Sequence, residues 1–239
     1  LPGMLFREDA YLRDAQAKVV AHTLEGGIVL DRTVFYPKGG GQPGDSGELR
    51  WDNQTMPIAT SIKGDGGEIV LIPAEPQALP PVGAILIQEV DWERRYKHMR
   101  VHTALHLLSV AVPFSVTGGS IGAAKGRLDF DMPDAPENRE IIEQALQTFV
   151  EMDAVVTEGW IDQSTLDAHP ELIKTLTVKP PRGAVRIRLV RIGAGDDQID
   201  VQPCGGTHVG RTGEIGAVRL GKIEKKGQRN RRIYLHLDD

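Results

Sequence analysis

The sequence predicts an α+β protein in which a small N-terminal β-barrel precedes a second domain of helices and mostly antiparallel strands. Three observations predict it. The first ~90 residues break into short apolar runs separated by clusters of Gly, Asp and Pro, the texture of a small barrel. At Asp91 this gives way to one long helical stretch. Beyond that stretch helices and strands mix in the α+β manner. The boundary falls near residue 91, giving domains 1–91 and 92–239.

Strands are expected at 17–24 (AKVVAHTL), 27–35, 55–62, 68–74 and 84–90. The segment 75–83 carries three prolines and reads as a surface crossover. Residues 91–112 read as a helix. Asp91 can cap it, Glu93 suits its first turn, and Pro113 stops it. A second helix is expected from Asp134 to Met152, with Ile141, Ile142, Ala145, Leu146, Phe149 and Val150 on one face. Then follow a strand at 155–161, a short helix near Ser164–Ala168, and strands at 184–192 and 198–203. A final pair at 214–227 and 231–237 closes the order.

With 239 residues, the chain can form one large or two small cored domains. Apolar residues at 40% and charged residues at 26% are ordinary for a soluble globular protein. No apolar run approaches the ~20 residues of a membrane span, so no membrane partner is expected. The first residues, LPGMLFREDAYLRD, do not form a signal peptide, and Met4 reads as a native start. Cys204 is the sole cysteine, which excludes an internal disulfide and points to the cytoplasm. The net charge of −5 argues mildly against a nucleic-acid binder. Yet Lys222, Lys225, Lys226, Arg229, Arg231 and Arg232 crowd one stretch. They form either a solvated hairpin tip or a phosphate-contacting patch.

His102 and His106 are four residues apart in the first helix, so both imidazoles project from one face. Cys204 and His208 are separated by Gly205, Gly206 and Thr207, and two glycines let a thiolate and an imidazole face one point. Together these are three nitrogens and one sulfur, a ligand set that suits tetrahedral zinc, Zn²⁺. A metalloprotease HExxH is excluded, because Thr103 stands where the glutamate is needed. The loop FYPKGGGQPGDSG (35–47) is neither a Walker A loop nor a dinucleotide loop. It lacks a closing GK[ST], and Pro43 and Gly44 break any helix that could follow. It is either a plain surface loop or one that passes close to a substrate, offering the Gln42 amide and backbone N–H groups.

GGGQPGD (39–45), HTALHLL (102–108), CGGTHVG (204–210) and GEIG (213–216) stand together in one chain. In this the chain resembles the AlaX family, freestanding relatives of the alanyl-tRNA synthetase editing domain, of the medium-length type with an N-terminal β-barrel. The resemblance covers the chain from about Met4. It implies hydrolysis of tRNA(Ala) mischarged with serine, with glycine a second candidate substrate, and it implies zinc held by His102, His106, Cys204 and His208. It places Gly39, Gly40, Gly41 and Gln42 at the editing pocket, near the aminoacyl end of the tRNA. Thr117 falls where short family members carry a serine-sensing threonine, with Ser120 and Thr103 as rivals. The catalytic set on this reading is Gln42, Thr117 and Cys204. The partner is the acceptor end of tRNA(Ala), met through the barrel, the glycine loop and the basic patch. Leu105 stands where synthetases usually have threonine, which fits the freestanding members better. No aminoacylation domain is expected, so the chain should deacylate without ATP and should not make Ala-tRNA.

A pocket for alanine rejects an added hydroxyl by only ~10²-fold, whereas a site that bonds the hydroxyl rejects its absence by roughly 10⁴–10⁵. A second, serine-requiring site therefore restores fidelity. No Ser–His–Asp set is visible and Cys204 is committed to the metal, so water is the nucleophile. Four protein ligands close a zinc site, which suits an ion that positions substrate. Asp129 and Asp131 are available carboxylates, and the general base is not assigned. Three alternatives stay open: editing of Ser-tRNA(Thr), a non-catalytic zinc module that binds tRNA ends, and a metallohydrolase of small molecules. Monomer and homodimer are both compatible with the sequence.

Overall fold

A computed structural model describes residues 3–173 and 186–238. Leu1, Pro2 and the first two residues of the strand expected at 184–192 lie outside the described residues. The chain divides into two compact units, Leu1–Tyr96 and Lys97–Asp239.

In the first unit a short β1 (Gly3–Met4) pairs in parallel with β4 (Arg32–Thr33). The other strands are β2 (Asp14–His22), β3 (Ile28–Leu30), β5 (Gly47–Trp51), β6 (Gln54–Lys63), β7 (Ile69–Pro73) and β8 (Ile85–Val90). They close into a barrel in the order β2-β3-β7-β6-β5-β8. Its interior is filled by Val19, Ile28, Leu49, Met56, Leu71 and Leu86; Val19 and Met56 alternate with exposed neighbours as the pleat requires, whereas β3 and the start of β7 are buried at every residue. Sequence reading missed β5. Its turn to β6 is Asp52–Asn53, with φ of 41° and 61°, a two-residue primed turn that an Asp-Asn pair can adopt. The expected strand at 27–35 is two short pieces, β3 and β4.

The glycine-rich loop is a built feature of this unit. Gly39 and Gln42 exchange backbone hydrogen bonds, N to O at 3.1 and 2.9 Å, around Gly40 and Gly41 with φ of 57° and 83°. Both central residues lie in the left-handed region, so this is again a primed turn. A Cβ on Gly44 would come within 2.0 Å of the Ser61 carbonyl oxygen, which β6 holds in place. Asp45 ends the motif inside the protein. Its Oδ2 accepts from Tyr36 N at 2.6 Å and pairs with Arg95. Arg95 is fully buried, and also donates to the carbonyls of Ala10 (3.0 Å) and Val34 (2.5 Å).

Helix α1 (Trp92–Ala111) begins in the first unit and continues in the second. Val101, Ala104, Leu105, Leu107 and Leu108 are all buried. A helix apolar on most sides must be packed on most sides. Strands β9 (Val116–Ile121) and β10 (Lys125–Asp131) follow as a hairpin that sequence reading missed. The glycines of VTGGSIG suggest a loop, but Leu128, Phe130 and Met132 are buried at a spacing of two. Gly126 lets β10 approach α1: a Cβ there would lie 2.9 Å from Leu105 Cδ1.

Helix α2 (Arg139–Glu151) starts five residues later than expected from Asp134. Asn138 is its N-cap, accepting from Ile141 N at 3.3 Å, and Pro136 keeps the preceding chain extended. Then come β11 (Val156–Asp162), α3 (Gln163–Ala168), β12 (Arg186–Ile192), β13 (Asp200–Pro203), β14 (Val218–Lys225) and β15 (Asn230–Leu237). GEIG is a 3-10 turn at Thr212–Ile215, so the strand expected from 214 begins at Val218. Two antiparallel sheets result, β14-β15-β10-β9 and β11-β12-β13.

Candidate metal centre

Residues 97–239 bring the four expected ligands together. Helix α1 presents His102 and His106, with ring centroids 5.3 Å apart. The turn after β13 presents Cys204 and His208. Cys204 Sγ lies 3.5 Å from His102 Nε2 and 3.2 Å from His208 Nε2. The ligand atoms of all four residues lie within 4.8 Å of one another, and the three histidines are buried. In a tetrahedral N₃S zinc site the ligand edges measure ~3.3–3.6 Å. The donor set and its spacing therefore fit a metal ion.

The imidazoles are oriented from behind. Thr103 Oγ1 donates to Met99 O at 2.9 Å, so it must accept from its other neighbours, His208 Nδ1 (3.1 Å) and Val209 N (3.2 Å). His208 thus carries its proton on Nδ1 and keeps the Nε2 lone pair for the cluster. His106 Nδ1 lies 3.0 Å from Asp200 Oδ2, which also accepts from Gln202 Nε2 at 2.7 Å. A carboxylate behind a ligating histidine fixes its ring and raises its basicity. Sequence reading missed Asp200. Its signal was present in QIDVQP, where Asp200 and Gln202 stand at alternate positions of a strand and both turn inward.

Electrostatics prepare the same donors. Burial works to raise the Cys204 thiol, but the charges and hydrogen bonds of the neighbouring histidines hold it well below its ordinary value. Burial, then the charge of His102, pushes His208 down to about 3. For His106 burial is outweighed by Asp200 and Cys204, which push it up to about 9. Burial and mutual charge thus favour the thiolate form of Cys204 and push His106 and His208 in opposite directions, and a divalent cation binding here would displace protons from these donors.

The comparisons with known proteins agree with this architecture. Residues 187–234 match the family model described as "Threonyl and Alanyl tRNA synthetase second additional domain", and residues 10–94 match "tRNA synthetases class II (A)". An alanine–tRNA ligase of Pyrobaculum neutrophilum is 36% identical over 92% of this chain, which spans only 25% of that enzyme's length. The alanyl-tRNA editing protein AlaX-M of Methanosarcina acetivorans is 30% identical, with 99% of each chain covered. The chain belongs to the AlaX-M family. The Methanosarcina barkeri member is likewise 30% identical over 98% of both chains.

Within this AlaX-M chain the other expected site residues fall as follows. Thr103, expected as a substrate contact, is wholly buried behind His208, with its hydroxyl bonded to Met99 O, His208 Nδ1 and Val209 N. Thr103→Val is expected to keep the fold while weakening metal binding by ~10–100-fold, as measured by competition with a chromophoric chelator. Gly39, Gly40, Gly41 and Gln42 belong to the barrel unit, where Gln42 is 1% exposed. Thr117 is the extra residue of a β-bulge, because pairing passes from Asp129↔Gly118 to Phe130↔Val116. Its hydroxyl donates to Asp129 O at 3.1 Å and accepts from Asn230 Nδ2 at 3.2 Å. Ser120 lies further along β9, opposite Arg127.

The basic patch needs correction. Arg231 is buried and donates to carbonyls of Gly227, Asn230 and Pro133, so it fastens the β14–β15 hairpin and cannot present itself to phosphate. Arg232 grips Asp129 with two bonds of 2.7 and 2.9 Å. Lys222 and Lys226 pair with Glu224, and Arg229 pairs with Asp131. These last three cations are exposed, and exposed pairs exchange readily. Lys225 is exposed as well.

Asp129 is structural. Burial raises its carboxyl, but the bonds from Arg232 and then Arg127 win and lower it. A lowered folded value contributes stability above the unfolded value of ~3.9, lost as pH falls through the folded value. Asp129→Asn should therefore flatten the loss of stability below about pH 4 in urea titrations.

Proposed function

We propose that this protein hydrolyses the ester of tRNA(Ala) mischarged with serine, releasing free serine and intact tRNA. The observation that carries the reading is the cluster of three buried imidazoles and the Cys204 sulfur, assembled by HTALHLL and CGGTHVG. The AlaX-M relatives, matched along their whole length and named as alanyl-tRNA editing proteins, support it. Working in the cytoplasm, where thiols stay reduced, would keep Cys204 available as a ligand.

On this reading His102, His106, Cys204 and His208 hold zinc. The ion would supply a fixed positive charge that anchors the charged end of the substrate. The protein's own residues do the rest. Asp200 and Thr103 hold the imidazoles in one tautomer each. Thr117 has committed its proton to Asp129 O, so toward a substrate hydroxyl it acts only as an acceptor. An acceptor at this point favours serine over alanine, because a site that bonds a hydroxyl discriminates against its absence. The primed turn of Gly39–Gln42 keeps the loop backbone bare of side chains, which suits approach by an RNA terminus. Lys222, Lys225, Lys226 and Arg229 contribute phosphate contacts, and these should weaken with salt.

The test is deacylation of Ser-tRNA(Ala) beside Ala-tRNA(Ala) and Ser-tRNA(Thr). Loss of serine from tRNA(Ala) with alanine spared is the expected result. Serine lost only from tRNA(Thr) would move the specificity to threonine editing. No loss from metal-loaded protein would overturn the hydrolase reading.

A further inference from the structure

The turn that carries Cys204 and His208 contains two glycines, which give the backbone more freedom than any other residue allows. Left to itself, such a turn would let thiolate and imidazole wander apart. A buried guanidinium grips it. Arg188, on the central strand β12, has a side chain only 3% exposed. Its Nη1 donates to Cys204 O at 2.8 Å and to Gly206 O at 2.9 Å, the two carbonyls that bracket Gly205. Its backbone oxygen accepts from Cys204 N at 3.2 Å. Gly206 N in turn points at Cys204 Sγ, 3.4 Å away. The opposite edge of the guanidinium is held by Glu158 of β11, with Nε to Oε2 at 3.0 Å and Nη2 paired to Oε1.

We propose that Arg188, locked by Glu158, is the positioning residue that presets the ligand turn and so controls how firmly the metal is held. A buried cation is tolerated only when paired and hydrogen-bonded, and here every named bond goes either to Glu158 or to the turn. The fork geometry matters. Arginine can face a carboxylate with one edge while reaching two carbonyls with the other, whereas lysine offers a point charge. Glu158 also neutralises the charge, so the clamp adds rigidity without repelling a cation. The inference rests on reading the cluster as a zinc site.

The experiment compares wild type, Arg188→Lys, Arg188→Met and Glu158→Gln, each checked for folding by far-UV circular dichroism. Two readouts are used: the rate of zinc release to a chelator, and the thiolate-to-metal charge-transfer band after loading with cobalt(II). Arg188→Lys and Arg188→Met are expected to release zinc ~10–100-fold faster and to shift the cobalt band, with Glu158→Gln in between. If the Arg188 variants do not fold, Glu158→Gln at its partly exposed position decides. Release rates and cobalt spectra equal to wild type in the folded variants overturn the proposal. A wild type that takes up neither metal overturns it together with the metal reading. A metal-loaded wild type that spares Ser-tRNA(Ala), with fast release in the variants, sinks the editing function and leaves the clamp standing.

Discussion

His102→Ala is expected to abolish stoichiometric metal binding and the proposed deacylation together, while the chain stays folded. The reason lies in how the site is built. His102 Nε2 sits 3.5 Å from Cys204 Sγ, and its ring lies 4.2 Å from that of His208. Removing it deletes one of four donors, a larger loss than the ~10–100-fold that follows loss of a hydrogen-bond partner behind a ligand. The fold should survive, because α1 is held by Val101, Leu105 and Leu108 in the core and by Arg100, which donates to Ile215 O at 2.8 and 3.1 Å. The variant should melt like chelated wild type. Metal-loaded wild type should be more stable by about 2.7 kcal/mol at a hundredfold excess over Kd. Metal analysis, thermal melts and deacylation assays on the same samples check this. A His102→Ala protein that retains one metal per chain and full activity would remove the cluster from the mechanism. One that unfolds would favour a purely structural metal.

Breaking the buried pair in the barrel unit should have the largest effect on stability. Arg95→Met removes the partner of Asp45 and strands that carboxylate at 2% exposure, leaving it the Tyr36 N–H among the described residues. Removing one member of a buried pair typically costs about 3–5 kcal/mol, because the survivor's charge is left uncompensated. The carbonyls of Ala10 and Val34 also lose their donor. Asp45→Asn combined with Arg95→Met should recover part of the loss, since no charge then remains buried. Urea unfolding of the three proteins gives the coupling energy directly. A destabilisation below about 1 kcal/mol for Arg95→Met would show that the pair is dispensable.

That pair also accounts for part of the GGGQPGD motif. Two of its positions serve turn geometry, one serves close packing and one serves charge: Gly40 and Gly41 by positive φ, Gly44 against Ser61, and Asp45 against Arg95. None of this can be read from spacing, because Asp45 and Arg95 lie fifty residues apart and meet only in the folded barrel. The basic stretch went the same way. Arg231 and Arg232 look identical in sequence to their exposed neighbours, yet strand alternation turns the first inward to carbonyls, and Asp129 on the adjacent strand captures the second.

The sequence by itself determined the α+β class, a small barrel of short strands and the four residues of the His/Cys cluster. Helical period places His102 and His106 on one face, and two glycines let Cys204 and His208 share a turn, both local effects of backbone geometry. Only the tertiary structure decided which groups stand behind those ligands. Asp200, Thr103 and Arg188 reach the centre from three different elements, and a hydrogen bond at 3 Å depends on packing that no local pattern encodes. The same holds for β5 and β9, short and glycine-flanked or glycine-rich, which become strands because neighbouring strands satisfy their backbone groups.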